Sequence, residues 1–258
     1  MKTRTIALLF ASFMLAACAS SAQRLAAQRE KDPQYQYEKA VVCMNYGLQD
    51  DALKYLDQAL ALNGRHYLAL NLRGLAMMMK GNLPESLSSF QRCVEIAPNF
   101  SEGHNNWGTA LEEDGKTDRA EAEYLRAAAI DGNANACYNL AKLYFQQKKF
   151  EPALDAVRRS LQKNNRSVLA FNMQGLILQS LKKMDDAVDS FEAALRIVPD
   201  EVNVRFNLAA AFYAMEDYVK ARDALARARK DLQARPVQPQ DAELRRRMDD
   251  LARRLEGR

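Results

Sequence analysis

The chain has only two histidines, His66 and His104, and four cysteines, Cys18, Cys43, Cys93 and Cys137. Nothing spaces the histidines with the cysteines as a metal site requires, so no metal centre is expected. Three cysteines remain once Cys18 is set aside, and an odd number closes no disulfide framework. Cys43, Cys93 and Cys137 read as small buried hydrophobes. A Gly-rich phosphate loop and a nucleophile elbow are both missing. The expectation is a non-enzyme with no catalytic residue, no cofactor and no small-molecule substrate. Net charge is also small, with 37 Lys and Arg against 33 Asp and Glu. The basic excess lies at the end, where residues 220–258 hold 12 basic and 7 acidic side chains. That asymmetry is too weak to argue for nucleic acid.

What the chain does have is an internal repeat. Aligned on a small residue at the middle of a first helix, it gives Ala40, Gly74, Gly108, Ala141, Gly175 and Ala209, spaced 34, 34, 33, 34 and 34 residues apart. With these residues at position 8, position 20 is Ala52, Ser86, Ala120, Ala153, Ala187 and Ala221. Position 24 is Leu56, Phe90, Tyr124, Val157, Phe191 and Leu225, and position 27 is Ala59, Cys93, Ala127, Ser160, Ala194 and Ala228. Small residues at 8 and 20 let two antiparallel helices approach, and large residues at 11 and 24 fill the space beside them. Gly47, Gly81 and Gly115 fall at position 15, where the first helix must stop. Lys148, Lys182 and Glu216 replace them later, so those turns are expected to be less sharp. Pro84 and Pro152 sit in the first turn of a second helix, where a missing N–H costs little.

The pattern resembles the tetratricopeptide repeat. The resemblance implies an all-α fold, a right-handed superhelical solenoid of six tetratricopeptide repeats over residues 33–235. Residues 236–258 would add a basic capping helix, its stripe formed by Leu244, Met248, Leu251 and Leu255. Such solenoids are binding surfaces more often than enzymes.

Residues 1–17 read as a lipoprotein signal peptide, with Lys2 and Arg4 before an apolar stretch, Ile6 to Leu15, too short to span a bilayer permanently. The ending Leu15-Ala16-Ala17-Cys18 resembles the bacterial lipobox. That resemblance implies lipidation of Cys18 by diacylglycerol and an acyl chain such as palmitate, a stable anchor. Ala19 and Ser20 follow, without the Asp linked by analogy to inner-membrane retention. The expected location is the periplasmic face of the bacterial outer membrane. Residues 18–32 form a leash to the first repeat.

One residue advances a helix by about 100°, so positions 2, 5, 9 and 12 of each first helix are rotated away from positions 4, 8 and 11. In stacked repeats of this kind those positions line the concave groove. Early in the chain they hold Tyr37, Val41, Met44, Leu68, Asn71, Leu75 and Met78, an apolar surface rich in adaptable Met. Asn105, Tyr138, Asn172 and Phe206 continue the row at position 5. Position 6 adds Asn106, Asn139 and Asn207. An amide carries both a donor and an acceptor and suits a peptide main chain; the bland alternative is that these amides only cap or solvate the helix face. The position-5 Lys of carboxylate-binding adaptors is missing, which argues against capture of a free C-terminal acid by that route.

Lipobox, six repeats and a basic helical end together resemble the outer-membrane tetratricopeptide pilotins of type IV pilus systems. The resemblance implies a protein that binds secretin subunits in the groove and promotes their outer-membrane localisation and assembly. The alternative is a scaffold lipoprotein that recruits peptidoglycan hydrolases or synthases. The sequence leaves open the identity of the partner, whether it binds as strand or helix, and the oligomeric state.

Overall fold

The computed structural model describes residues 25–239 and 241–257. The segment read as a signal peptide, residues 1–17, and Cys18 lie outside the described residues. Those that are described form helices and no strand. In chain order the helices begin with α1 (Pro33–Asn45), α2 (Gln49–Leu62), α3 (Tyr67–Met79), α4 (Leu83–Ile96), α5 (Ser101–Glu113) and α6 (Thr117–Asp131). There follow α7 (Ala134–Gln146) with α8 (Phe150–Lys163), α9 (Val168–Ser180) with α10 (Met184–Ile197), and α11 (Val202–Ala214) with α12 (Tyr218–Ala234). A last helix, α13, spans Asp241–Glu256. Each odd-numbered helix from α1 to α11 begins at repeat position 1 and runs for 13 residues.

The chain divides into two compact units between Ala120 and Glu121. In the first, α1 pairs with α2 and α3 with α4, while α2 stacks on α3 and α4 on α5. In the second, α7 pairs with α8, α9 with α10 and α11 with α12, stacked through α8 on α9 and α10 on α11. Each is a stack of helical hairpins, and the fold is an all-α helical-repeat solenoid.

Why these residues pack this way is visible at position 24. Leu56, Phe90, Tyr124, Val157 and Phe191 are fully buried, and so is every position-20 residue. A Cβ added to Gly74 would lie 2.5 Å from the Phe90 ring, and one added to Gly175 would lie 2.5 Å from Phe191. The ring therefore occupies the volume that a position-8 side chain would take. Where position 24 is Leu56, Val157 or Leu225, position 8 is Ala. Ring against Gly and branched aliphatic against Ala keep the interhelical gap filled at a similar spacing.

The turns correct one expectation. Gly47, Gly81 and Gly115 are left-handed at φ 69°, 74° and 74°, and Lys148, Lys182 and Glu216 are left-handed too, at φ 59°, 64° and 62°. The later turns are as sharp as the early ones. In each, the residue two beyond position 15 starts the second helix, so a single left-handed residue must reverse the chain whatever its side chain.

In the second unit, α13 packs against both α11 and α12. Leu244, Met248, Leu251 and Leu255 are buried along one stripe, as the apolar spacing requires. A latch at its start was not legible in the sequence. Asp241 is buried and its carboxylate accepts from Arg235 at 2.5 Å and from the Gln238 N–H at 2.8 Å. Arg229 pairs with Asp249 at 2.6 Å, and Arg222 donates to the Leu255 carbonyl at 2.8 Å.

Candidate functional site

The scarce residues are used for structure. His66 caps α3: its Nδ1 accepts from the Ala69 N–H at 3.2 Å, and its Nε2 faces Gln34 Oε1 at 3.2 Å. His104 is buried, with Nε2 3.0 Å from the Pro98 carbonyl. Cys43, Cys93 and Cys137 are free thiols, half-buried in the first case and buried in the others. Burial pushes the Cys93 thiol up to about 12, which keeps it neutral. Among the described residues no cluster of three His, Cys, Asp or Glu is placed to hold a metal ion. No described helix is long and apolar enough to cross a membrane.

In the first unit, α1, α3 and α5 lie side by side, because α1 touches α3 and α3 touches α5. Their equivalent positions therefore form rows. Tyr37, Val41, Met44, Leu68, Leu75 and Met78 are all half-buried, a state between core and solvent. Tyr37 and Met44 lean on the core made by Ala40, Leu56 and Ala69, and the Tyr37 ring lies 5.3 Å from His66. Of the Met77-Met78-Met79 run, only Met79 is largely exposed, at 62%. The partial burial of Leu75 and Met78 leaves apolar surface facing outward without making either a core residue.

The amides pair across repeats. In the first unit Asn106 Nδ2 donates to Asn71 Oδ1 at 3.0 Å. In the second, Asn207 Nδ2 donates to Asn172 Oδ1 at 2.9 Å. Both pairs join residues 35 apart, one repeat plus one residue, so position 6 of one repeat meets position 5 of the repeat before. The sequence showed both rows without showing that they bond to each other. Asn71 and Asn207 are buried, as are Asn105 and Phe206. Asn105 Nδ2 donates to Asn106 Oδ1 at 3.3 Å. Tyr138 and Asn139 of α7 are half-buried, and burial raises the Tyr138 phenol above its ordinary range.

At the far end of the second unit the row is partly covered. Arg247 of α13 lies over the Phe206 ring, 4.7 Å from its centroid. Phe206 thus faces a cation and not open solvent, which no reading of α11 alone would reveal. Beside it, a cleft of about 520 Å³ runs between α9 and α11.

Comparison with known proteins fits this geometry. The tetratricopeptide repeat pattern matches residues 47–99, and the C-terminal ARM domain of tetratricopeptide repeat protein 21 matches residues 118–240. The chain is similar to the type IV pilus assembly protein PilF of Pseudomonas aeruginosa, 27% identical over 154 residues, 58% of this chain and 60% of that protein. It spans between 21% and 30% of three longer eukaryotic relatives. Among solved structures it resembles PilW, a widely conserved type IV pilus biogenesis factor, with TM-score 0.69, 19% identity, and coverage of 78% of this chain and 92% of that one. It also resembles YrrB, a tetratricopeptide protein with an unusual peptide-binding site, at TM-score 0.58 and 16% identity, over 68% of this chain and 91% of that one. The fold is that of a tetratricopeptide-repeat solenoid, and the chain is similar to proteins of type IV pilus assembly.

Proposed function

We propose that this protein is a pilotin-like lipoprotein of type IV pilus biogenesis. Lipid on Cys18 holds it on the periplasmic face of the outer membrane. The groove-lining face of α1 and α3, carrying Tyr37, Val41, Met44, Leu68, Leu75 and Met78, takes an apolar segment of an unassembled secretin subunit. Lipid-directed transport then brings both partners to the membrane where the ring assembles. The protein performs no chemistry in this scheme and acts by binding alone.

The observation that carries the reading is the similarity to PilF over 154 residues, supported by the row of half-buried apolar side chains. Half-burial matters because surface of this kind gains from being covered, at roughly 25 cal/mol per Å² of apolar area. Asn71, Asn106, Asn172 and Asn207 support a bound main chain: Asn106 and Asn207 each spend one donor on a neighbour, Asn71 and Asn172 accept with their oxygens, and each pair keeps N–H groups to offer.

The anchor is tested by Cys18→Ala. The variant should leave the outer-membrane fraction and accumulate as soluble or inner-membrane precursor. Continued outer-membrane fractionation would refute the lipid anchor.

A further inference from the structure

We propose that the cleft between α9 and α11 binds an extended peptide segment in which apolar side chains flank an Asp or Glu, and that Arg247 receives that carboxylate. The proposal rests on the reading that the first-helix face binds protein, and it names the partner chemistry at a place that reading leaves open.

Three features converge on this cleft. Its walls are apolar, formed by Leu169, Leu176, Val198 and Val204. Leu169 is 64% exposed, unusual for a leucine at the middle of a stack, and stands ready to be covered. The Asn172–Asn207 amide pair also lines the cleft. After that one bond, Asn172 keeps its N–H groups and Asn207 its carbonyl, a donor and an acceptor side by side. A helix satisfies its own main chain, whereas an extended segment presents free N–H and C=O groups to such a pair.

The third feature is charge. Among the described residues Arg247 has no acidic partner; its one described contact is the Phe206 ring. The other charged residue of the cleft, Glu201, turns its carboxylate to Asn203 at the start of α11. Contact with the Phe206 ring holds the guanidinium beside the cleft, and its N–H groups can meet an oxyanion there. Arg247 also lines a second cleft of about 290 Å³ with Tyr213, Arg254 and Asp250, whose carboxylate pairs with Arg253. Space therefore continues on both sides of the guanidinium. A chain passing through meets it with a side-chain carboxylate, where a chain ending there would need a closed wall.

The test is a titration of the full-length protein in detergent with N-acetylated, C-amidated nonapeptides rich in Leu and Val. One set carries a central Asp and the matched set a central Asn. The wild type should bind the Asp set about tenfold more tightly. Arg247→Lys, which keeps the charge without the planar fork, should keep only part of that preference, and Arg247→Gln should erase it while the helical signal stays unchanged. Equal affinity for the two sets, or a preference surviving Arg247→Gln, would overturn the proposal. Tighter binding of a free-acid Asn peptide than of its amide would also overturn it, by moving the carboxylate to a chain end. Binding of neither set overturns it too, and leaves capture by the α1 and α3 face to its own experiment.

Discussion

At the scale of single residues, the packing rule is a size exchange between positions 8 and 24. Gly74 accepts the Phe90 ring where its own side chain would be. Gly74→Ala should therefore lose about 1–3 kcal/mol by overpacking, although Ala is the better helix former. Combined with Phe90→Leu, it recreates the Ala–Leu pairing of Ala40 with Leu56, and the loss should shrink by about 1 kcal/mol or more relative to the sum of the singles. Chemical denaturation of the four proteins measures this; strict additivity would contradict the exchange. The row of small residues at position 8 was legible in the sequence, since periodicity and volume are both written there. The amide ladder was not. Asn71 and Asn106 are ordinary polar residues until the stack brings position 6 of one repeat against position 5 of another.

At the scale of elements, helix starts and stops were legible because they repeat, and the hairpin turn shows where that reading fell short. Lys148, Lys182 and Glu216 adopt the left-handed conformation that Gly81 adopts freely. Stacking imposes the turn and the residue bears the strain, which local propensity cannot forecast. Lys182→Gly should stabilise the second unit by about 0.5–1 kcal/mol, the left-handed penalty less the greater unfolded entropy of Gly. Unchanged or lower stability in thermal unfolding would contradict that account. The docking of α13 depends on Asp241, whose carboxylate joins Arg235 and the Gln238 N–H across a Pro-containing linker. Asp241→Ala leaves both donors without that acceptor and should cost about 1–3 kcal/mol. Hydrogen exchange should rise in α13 first, with α7 to α10 little changed; exchange rising evenly across the second unit would rule out a local latch. The apolar stripe of α13 was readable, whereas the latch was hidden, because an Asp at a helix start serves equally as an exposed cap.

At the scale of the molecule, the two units share one repeat logic and differ in what their first-helix faces offer. The face of α1 and α3 is apolar and half-buried, while that of α11 is partly covered by Arg247. The architecture was legible because a period near 34 residues leaves few ways to bury the apolar positions. The site was legible only as rows, since one helix does not reveal what a later helix lays across it. The central claim is that the α1 and α3 face captures a secretin. Its most direct test is a membrane pull-down comparing the wild-type protein with Leu75→Glu/Met78→Glu, with helical content measured on both. The account predicts a secretin recovered with the wild type and lost from a folded variant. Equal recovery by both proteins, or cell-wall hydrolases and synthases in place of a secretin, would contradict it.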